Sequence, residues 1–433
     1  MLYLYDMKKK IAVQDLQRGM YVSELVGRHW RETPFLFQGF EIQSDEQIEE
    51  IGRYCRHVYI DTEQGIDVSS RPRPTASTSP ILIVPPEKKE PIIKFEKVIE
   101  RFAPGHRRPP RYQDVTTLEE EIGHAREIVT ETREAVYDIM TDVRLGRSIN
   151  TTAAKKVVAD MVDSVIRNPD ALMCLNQLKD KDEYTALHSL RVCVLALAFG
   201  RHLDLTDEEL NLLGIGALLH DIGKMKVPND IINKPGKLTD EEFSLMKSHV
   251  PQGVGILEQT HGISSVSIDV ARYHHERYAG GGYANGSKGD QIGLFGSIGG
   301  IVDCYDAITS DRSYHAGLSA HDALTKMYSW RGRDFQPLLV EQFIQCMGIY
   351  PIGSVVELNN GSIGVVVSIN RTRRLRPKVA MVLNSDKTPF TPAKVIDLMH
   401  EGSEGAHRGL EIRKVLPPGE HGVIPTKYIP LGA

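Results

Sequence analysis

The feature that most restricts the fold is a long block, residues 116–350, in which apolar residues recur with helical spacing. Leu118, Ile122 and Ala125 mark one face of its first helix, and either Thr116 or Thr117 is a candidate N-cap for that helix. We therefore predict a mainly α protein whose helical domain has one core. Further helical patterns lie at residues 153–166, 171–178, 185–202, 207–219, 239–257, 266–275, 295–309, 320–327 and 337–346.

The two flanks of this block have a different pattern. Residues 9–63 contain short apolar runs typical of strands around a helix that Ser44 would cap, which predicts a small α+β domain. On the other side, residues 354–358 and 363–369 are separated by a glycine-containing turn, which predicts a β-hairpin. Residues 378–383 are a third candidate strand, so we expect a short β domain after the helices.

A segment rich in proline and serine separates the first flank from the helices. Such a composition buries too little apolar surface to offset the entropy of ordering the chain, so we predict a linker. The predicted organisation is a small N-terminal regulatory domain (1–64), the linker (65–115), the helical domain (116–350) and a β-rich C-terminal segment (351–433).

The composition narrows the class of protein. Hydrophobic residues make up 41% and charged residues 25%, as in ordinary globular proteins, and the net charge of -5 gives no general case for binding a nucleic acid polymer. The five cysteines are scattered without a CxxC pair, which indicates free thiols in a reducing compartment. The start has no secretory pattern, and no apolar run near the motifs approaches the roughly 18 residues of a membrane helix. We therefore expect a cytoplasmic protein without a transmembrane segment.

The helical block also carries an unusual set of metal-binding side chains. Imidazoles and carboxylates gathered from several helices are the ligand mix of a borderline transition-metal site. The set exceeds what one ion with open coordination positions needs, so we predict two divalent ions that share a bridging carboxylate. Such a centre activates water and holds a phosphoryl group, which indicates hydrolysis of a phosphate ester. The candidate ligands are His188, His220, Asp221, His249, His274, His275 and Asp303.

The pair His220-Asp221 is the strongest local signal. It ends an apolar helix, and Gly223 suits the left-handed position that follows many helices. Asp221 could bind one ion through each carboxylate oxygen, while the alternative is a helix cap without metal. Lys224 cannot bind a metal while protonated, but it could stabilise charge on a phosphate or protonate a leaving oxygen. The alternative for Lys224 is an exposed lysine.

The other candidates also have alternatives. His188 lies in an apolar run and could be a hydrogen-bonded core histidine. His274 and His275 would point about 100° apart on a regular helix, so they can share an ion only where the backbone is irregular, and the glycines that follow allow this. Asp303 in an apolar helix would be costly without a partner. Arg312 could bind a phosphate oxygen or be a surface arginine.

Together these motifs resemble the HD-GYP family, a branch of the HD phosphohydrolases. The resemblance covers residues 180–350, and residues 9–63 are similar to a small domain that precedes many HD-GYP domains. It implies hydrolysis of the bacterial second messenger cyclic di-GMP, with linear pGpG as the expected product and GMP as the alternative. The motifs are His220-Asp221 with Gly223-Lys224, residues 234–239, Lys247 with His249, His274-His275-Glu276, Gly282-Tyr283, and Asp303 with Asp306-Ala307.

The resemblance also implies roles for single residues. Lys224 matches the active-site lysine of the family, and Tyr184 stands where some members have a glutamate that binds a third ion, which implies a two-metal site. Iron is the metal implied, with manganese as its substitute. One ion would be bound by His188, His220, Asp221 and Asp303, and the second by His249, His274, His275 and the other oxygen of Asp221.

The chain departs from the family pattern around the substrate. The glycine loop, residues 279–284, begins with Ala279 and ends with Ala284, where the family has an aspartate and a proline. Ser297 replaces an arginine, and Ser313 replaces a proline. The resemblance still implies substrate contacts at Gly282, Tyr283, Arg312 and His315: the glycine loop with Tyr283 against a guanine, and the two basic residues on the phosphates.

Two alternatives to this enzyme follow from the departures. One is a catalytically weak or inactive module that binds cyclic di-GMP or a diguanylate cyclase (GGDEF) protein through the altered loop. The other is a metal-dependent phosphohydrolase of a different nucleotide. The long helix predicted at residues 117–146 could mediate a homodimer or pack on its own domain.

Overall fold

The chain divides into two compact units in the computed structural model. One contains residues 1–85 and 325–330, and the other contains residues 86–324 and 331–433. The structure describes residues 8–25, 40–61, 98, 100, 102, 109–177, 184–310, 317–371, 373–399, 409–417 and 419–428.

The first unit contains an antiparallel four-stranded sheet and one helix, so the predicted α+β character of this region is confirmed. Ser44 caps the helix, and the side chain of Gln47 accepts a hydrogen bond from the backbone nitrogen of Ser44 at 3.3 Å. Met20, Val22 and Ile51 are fully buried between sheet and helix. The strands are β1 (Lys8–Ala12), β2 (Tyr21–Leu25), β3 (Phe40–Glu41) and β4 (His57–Asp61) in the order β1-β4-β2-β3, and the helix is α1 (Asp45–Tyr54).

Helices dominate the chain from residue 118 to residue 347, which confirms the mainly α class. Thr117, Thr206 and Thr239 each accept a hydrogen bond from the backbone nitrogen three residues later, so polar caps fix where three of these helices begin. The helices are α2 (Leu118–Arg144), α3 (Thr151–Arg167), α4 (Pro169–Leu175), α5 (Tyr184–His202), α6 (Asp207–Leu219), α7 (Asn229–Ile232), α8 (Asp240–Lys247), α9 (His249–Gln259), α10 (Ser265–Tyr273), α11 (Gly293–Thr309), α12 (Ala320–Ser329) and α13 (Pro337–Met347).

The single helix predicted over residues 239–257 is wrong, because the chain forms α8 and α9 with a break at Ser248. Pro251 lies in the first turn of α9, where its missing N–H has no helical partner to lose. The break places His249 at the very start of a helix.

The helices that carry the candidate ligands pack closely. A Cβ atom on Gly216 of α6 would lie 2.4 Å from the carbonyl oxygen of Ser267 in α10, so only glycine permits this approach. The segment Gly289–Thr309 is long and apolar enough to cross a membrane, but 61% of its most apolar stretch is buried inside the protein. A buried core helix can have the same length and composition, so this segment is weak evidence for a membrane span.

The C-terminal region forms an antiparallel five-stranded sheet, so the predicted hairpin and third strand are confirmed. Gly361 has the left-handed φ of 85° that the hairpin turn requires. Residues 412–416, which were not predicted as a strand, pair with β5. The strands are β5 (Val355–Leu358), β6 (Ile363–Ser368), β7 (Lys378–Leu383), β8 (Pro389–Asp397) and β9 (Ile412–Leu416), in the order β8-β7-β6-β5-β9.

Candidate metal centre

The seven candidate ligands come together in the helical region from five separate places in the chain. His188 is on α5, His220 and Asp221 follow α6, His249 begins α9, His274 and His275 follow α10, and Asp303 is on α11. They form two groups, and within each group the potential ligand atoms lie within 4.8 Å of one another. The groups are Asp221, His249, His274 and His275, and His188, His220 and Asp303.

Asp221 lies between the two groups and turns one carboxylate oxygen to each. Its Oδ2 atom is 3.4 Å from Nε2 of His188 and 3.3 Å from Nε2 of His220. Its Oδ1 atom is 3.4 Å from Nε2 of His249 and 3.8 Å from Nε2 of His274. Asp221 is only 1% exposed, so a carboxylate in this position is suited to bridge two cations rather than to be solvated.

Several polar atoms at this point are buried without a hydrogen-bond partner in the described part of the chain. They are Nε2 of His220, His249 and His274 and Oδ1 of Asp221. Unpaired polar atoms in the interior cost free energy, and native proteins rarely keep them without a reason. A cation among these atoms removes that cost.

Backbone carbonyls fix which nitrogen of each ring faces the centre. Nδ1 of His220 lies 2.8 Å from the carbonyl oxygen of Ala217, and Nδ1 of His249 lies 2.6 Å from that of Met246. His274 has the same arrangement, with Nδ1 2.9 Å from a carbonyl oxygen one turn earlier in the chain. A ring that donates from Nδ1 keeps the lone pair of Nε2 free, which is the tautomer that a metal ligand needs.

The protonation states in the ligand group that contains Asp221, His274 and His275 also fit a divalent cation. Burial lowers the pKa of His274 to about 3, and burial together with the neighbouring His274 lowers the pKa of His275 well below its usual value. Burial would raise the pKa of Asp221, but Lys224 and His220 outweigh it and hold the pKa well below its usual range. Neutral imidazoles beside ionised carboxylates are donors for a hard or borderline cation.

The expected reason for Gly223 is wrong. Gly223 is not left-handed but lies in the 3₁₀ helix Ile222–Lys226, which directly follows the His-Asp pair. A Cβ atom at this position would lie 1.9 Å from the carbonyl oxygen of His249 and 2.4 Å from the nitrogen of Gly253. Glycine is required here because the backbone of α9 comes so close, and this approach brings His249 to Asp221.

His274 and His275 belong to the same group of potential ligands, and helix α10 ends at Tyr273, directly before this pair. His274 is the C-cap of α10, and the two rings lie 4.0 Å apart. Gly282 packs against the backbone that follows, since a Cβ atom there would lie 2.4 Å from Cα of Glu276. Gly282 therefore holds the loop against the histidine pair.

Tyr283 and Lys224 lie at the centre as well. The ring of Tyr283 stacks on that of His275 with centroids 4.6 Å apart and an interplanar angle of 27°. Nζ of Lys224 contacts Oδ2 of Asp221, and the lysine side chain is 20% exposed. Arg312 and His315, the two other predicted substrate contacts, lie outside the described residues.

Two residues of the site had no role assigned from the sequence: Asp306, which was named only as part of a family motif, and Arg191. Asp306 accepts hydrogen bonds from Nε and Nη2 of Arg191 at 2.7 and 3.0 Å, and it also contacts His188. Asp306 is one helical turn after Asp303, so its spacing could have indicated a supporting acid on the same face of α11.

This fold and site define a metal-binding phosphohydrolase of the HD class, and the comparisons agree. An HD domain model matches residues 172–339, a domain of unknown function (DUF3391) matches residues 8–154, and a KOW domain associated with HD domains matches residues 355–404. Cyclic di-GMP phosphodiesterase PA4108 of Pseudomonas aeruginosa is 36% identical over 94% of this chain and 92% of its own length. The chain therefore belongs to the HD-GYP family of cyclic di-GMP phosphodiesterases.

Other relatives match a smaller share of this chain. The cyclic di-GMP phosphodiesterase response regulator RpfG of Xanthomonas campestris pv. campestris is 32% identical over 44% of this chain and 51% of its own. The 3'3'-cGAMP-specific phosphodiesterase 2 of Vibrio cholerae is 32% identical over 39% of this chain and 33% of its own. A solved structure, Bd1817, a HDG"Y"P protein from Bdellovibrio bacteriovorus, is 16% identical over 78% of this chain and 98% of its own, with a TM-score of 0.45.

Proposed function

We propose that this protein hydrolyses cyclic di-GMP with two divalent metal ions, with linear pGpG as the expected product and GMP as the alternative. The observation that carries the proposal is the position of Asp221, whose two oxygens face two separate groups of ligand atoms. The relative that matches almost the whole chain bears the name of a cyclic di-GMP phosphodiesterase, which supports this substrate.

Each ligand group would hold one ion, iron in the first instance and manganese as its substitute. Bound ions in such a pair lower the pKa of water toward neutrality and draw charge from a phosphoryl oxygen. Burial lowers the pKa values of His249, His274 and His275, and backbone carbonyls orient the rings of His220, His249 and His274 for this purpose. The first set is His188, His220, Asp303 and Oδ2 of Asp221, and the second is His249, His274, His275 and Oδ1 of Asp221.

The side chains around the ions would bind and orient the substrate. Lys224, beside Asp221 and partly open to solvent, would place positive charge at the phosphate and donate a proton to the leaving 3′ oxygen. Tyr283 and the loop at Gly282 would contact a guanine, and Arg312 with His315 would bind the phosphates.

We also propose a cytoplasmic location, supported by the five cysteines, which form no disulfide bond with one another. Four points stay predictions: the regulatory role of the N-terminal domain, a diguanylate cyclase partner, a homodimer, and the domain boundaries near residues 64, 115 and 350.

The decisive experiment uses anaerobically purified protein loaded with iron or manganese. Cyclic di-GMP and 3'3'-cGAMP are supplied separately, and the products are separated by chromatography. We expect pGpG from cyclic di-GMP, no turnover by the Asp221→Ala variant, and normal turnover by Asp230→Ala, which changes an exposed acid on α7. Tight binding of cyclic di-GMP without turnover would favour the non-catalytic module. Faster cleavage of cGAMP than of cyclic di-GMP would make cGAMP the substrate, and cleavage of neither compound would indicate a different substrate.

A further inference from the structure

Helix α8 borders the metal centre without belonging to the core. None of its side chains is buried, and its last residue, Lys247, is two positions before the candidate ligand His249. Its apolar residues Phe243 and Leu245 are 45% and 49% exposed. The helix thus presents apolar surface to solvent at a site that must bind substrate.

Phe243 continues a series of aromatic rings that begins at the metal ligands. Tyr283 stacks on His275, and the ring of Phe243 meets that of Tyr283 edge to face, with centroids 6.2 Å apart and an interplanar angle of 79°. An aromatic surface therefore leads from His275 outward to an exposed ring. Flat exposed rings beside an active centre are suited to stack on nucleobases.

Lys247 supplies positive charge at the same place. Its Nζ atom lies 5.0 Å from the centroid of the Phe243 ring, and the described part of the chain offers it no carboxylate within salt-bridge distance. A cation held only over an exposed aromatic ring is weakly bound, so it can turn to a phosphate at little cost.

We propose that Phe243 and Lys247 form an outer nucleotide subsite, which binds the half of the substrate that is not being cut. The inference rests on the proposed function, because a cyclic dinucleotide has two bases and two phosphates while the metal centre can hold one phosphate at a time. The Phe243 ring stacks on the second base, and Lys247 binds the second phosphate.

The test compares KM and kcat for cyclic di-GMP in variants of α8. Phe243→Ala and Phe243→Leu should each raise KM about tenfold and leave kcat within about twofold, because base stacking on an aromatic residue is lost. Phe243→Tyr should restore the KM, and Leu245→Ala, an equally exposed apolar change on the same helix, should not alter it. Lys247→Ala should raise KM by a similar factor and make KM less dependent on salt concentration. Lys247→Arg should keep both the wild-type KM and its salt dependence.

A binding measurement separates failure of the subsite from failure of the proposed function. In the Phe243→Trp variant of the metal-loaded protein, pGpG should quench the fluorescence of the new tryptophan. If wild-type protein does not turn over cyclic di-GMP but pGpG still quenches this signal, the activity is wrong and the subsite stands. If turnover is normal and Phe243→Ala has the same KM as Leu245→Ala, the subsite is wrong.

Discussion

Oδ2 of Asp306 lies 2.7 Å from Nδ1 of His188, and this contact sets the orientation of the His188 ring at the candidate metal centre. The opposite nitrogen, Nε2, consequently faces inward, 3.4 Å from Oδ2 of Asp221 and 3.1 Å from Oδ1 of Asp303. Arg191 donates to both oxygens of Asp306, so the acid is held ionised and fixed in position. Arg191 and Asp306 therefore hold the candidate ligand His188 in position through the nitrogen that faces away from the metal centre.

We expect Asp306→Asn to weaken metal binding without removing a ligand. An amide can still contact His188, but it no longer draws a proton to Nδ1 as a carboxylate does, and such supporting contacts are typically worth a factor of about 10–100 in metal affinity. Competition with a chelator measures the change, and Asp269→Asn, which alters a partly exposed acid on α10, is the control. Equal metal affinity in the two variants would show that Asp306 has no such role.

The division of the ligands into two groups predicts a selective loss of metal. His188→Ala and His274→Ala should each remove about one equivalent, because each histidine belongs to a different group, whereas Asp221→Ala should lower both. Elemental analysis of anaerobically prepared protein measures the stoichiometry. His261→Ala, a change at an exposed histidine, should keep both equivalents. A single equivalent in the wild-type protein would contradict the two-ion centre.

Gly223→Ala should destabilise the protein and disturb the second group of ligands. The added methyl group would lie 1.9 Å from the carbonyl oxygen of His249, so α9 must move away from Asp221. Overpacking of this kind typically costs about 1–3 kcal/mol. Denaturant unfolding and metal content measure the effect.

Gly255→Ala is the control for this change, since Gly255 lies in α9, the helix that Gly223 approaches, and nothing lies within 4 Å of its added Cβ atom. It should be neutral or stabilising, because alanine favours a helix by up to about 1 kcal/mol over glycine. A Gly223→Ala protein as stable as Gly255→Ala would refute the close approach.

Glu121 should make stability depend on acidic pH. Its carboxylate, only 4% exposed, accepts hydrogen bonds from Arg167 and from Ser164 at 2.8 Å and joins α2 to α3. Burial would raise the pKa of Glu121, but the bonds from Arg167 and Ser164 outweigh it and lower the pKa below the usual 4.5. The contribution is therefore complete above pH 4.5 and is lost as the pH falls through the lowered pKa of the folded state.

We expect Glu121→Gln to cost about 1–3 kcal/mol of unfolding free energy at pH 7, with a smaller difference from wild type below pH 4. Urea unfolding at several pH values measures both. Glu131→Gln breaks an exposed salt bridge to Lys156 between the same two helices and should cost less than about 1 kcal/mol at any pH. A pH-independent effect of Glu121→Gln would contradict the prediction.

The helices and their beginnings could be predicted where local chemistry decides them. Thr117 caps α2 as expected, because a cap depends on residues three positions apart. The break at Ser248 was not predicted, since residues 239–257 keep apolar helical spacing through it. Strand β8 was also missed because it is mostly exposed and lacks the alternation that marks a half-buried strand.

The sequence by itself determined the identities of the candidate ligands and the mainly helical framework that carries them, because side-chain chemistry and helical period are written in neighbouring residues. Only the tertiary structure decided that Asp221 faces both groups, that Asp306 supports His188, and that Gly223 serves a close approach rather than a turn. Those relationships depend on distances between segments far apart in the chain, and packing alone sets such distances.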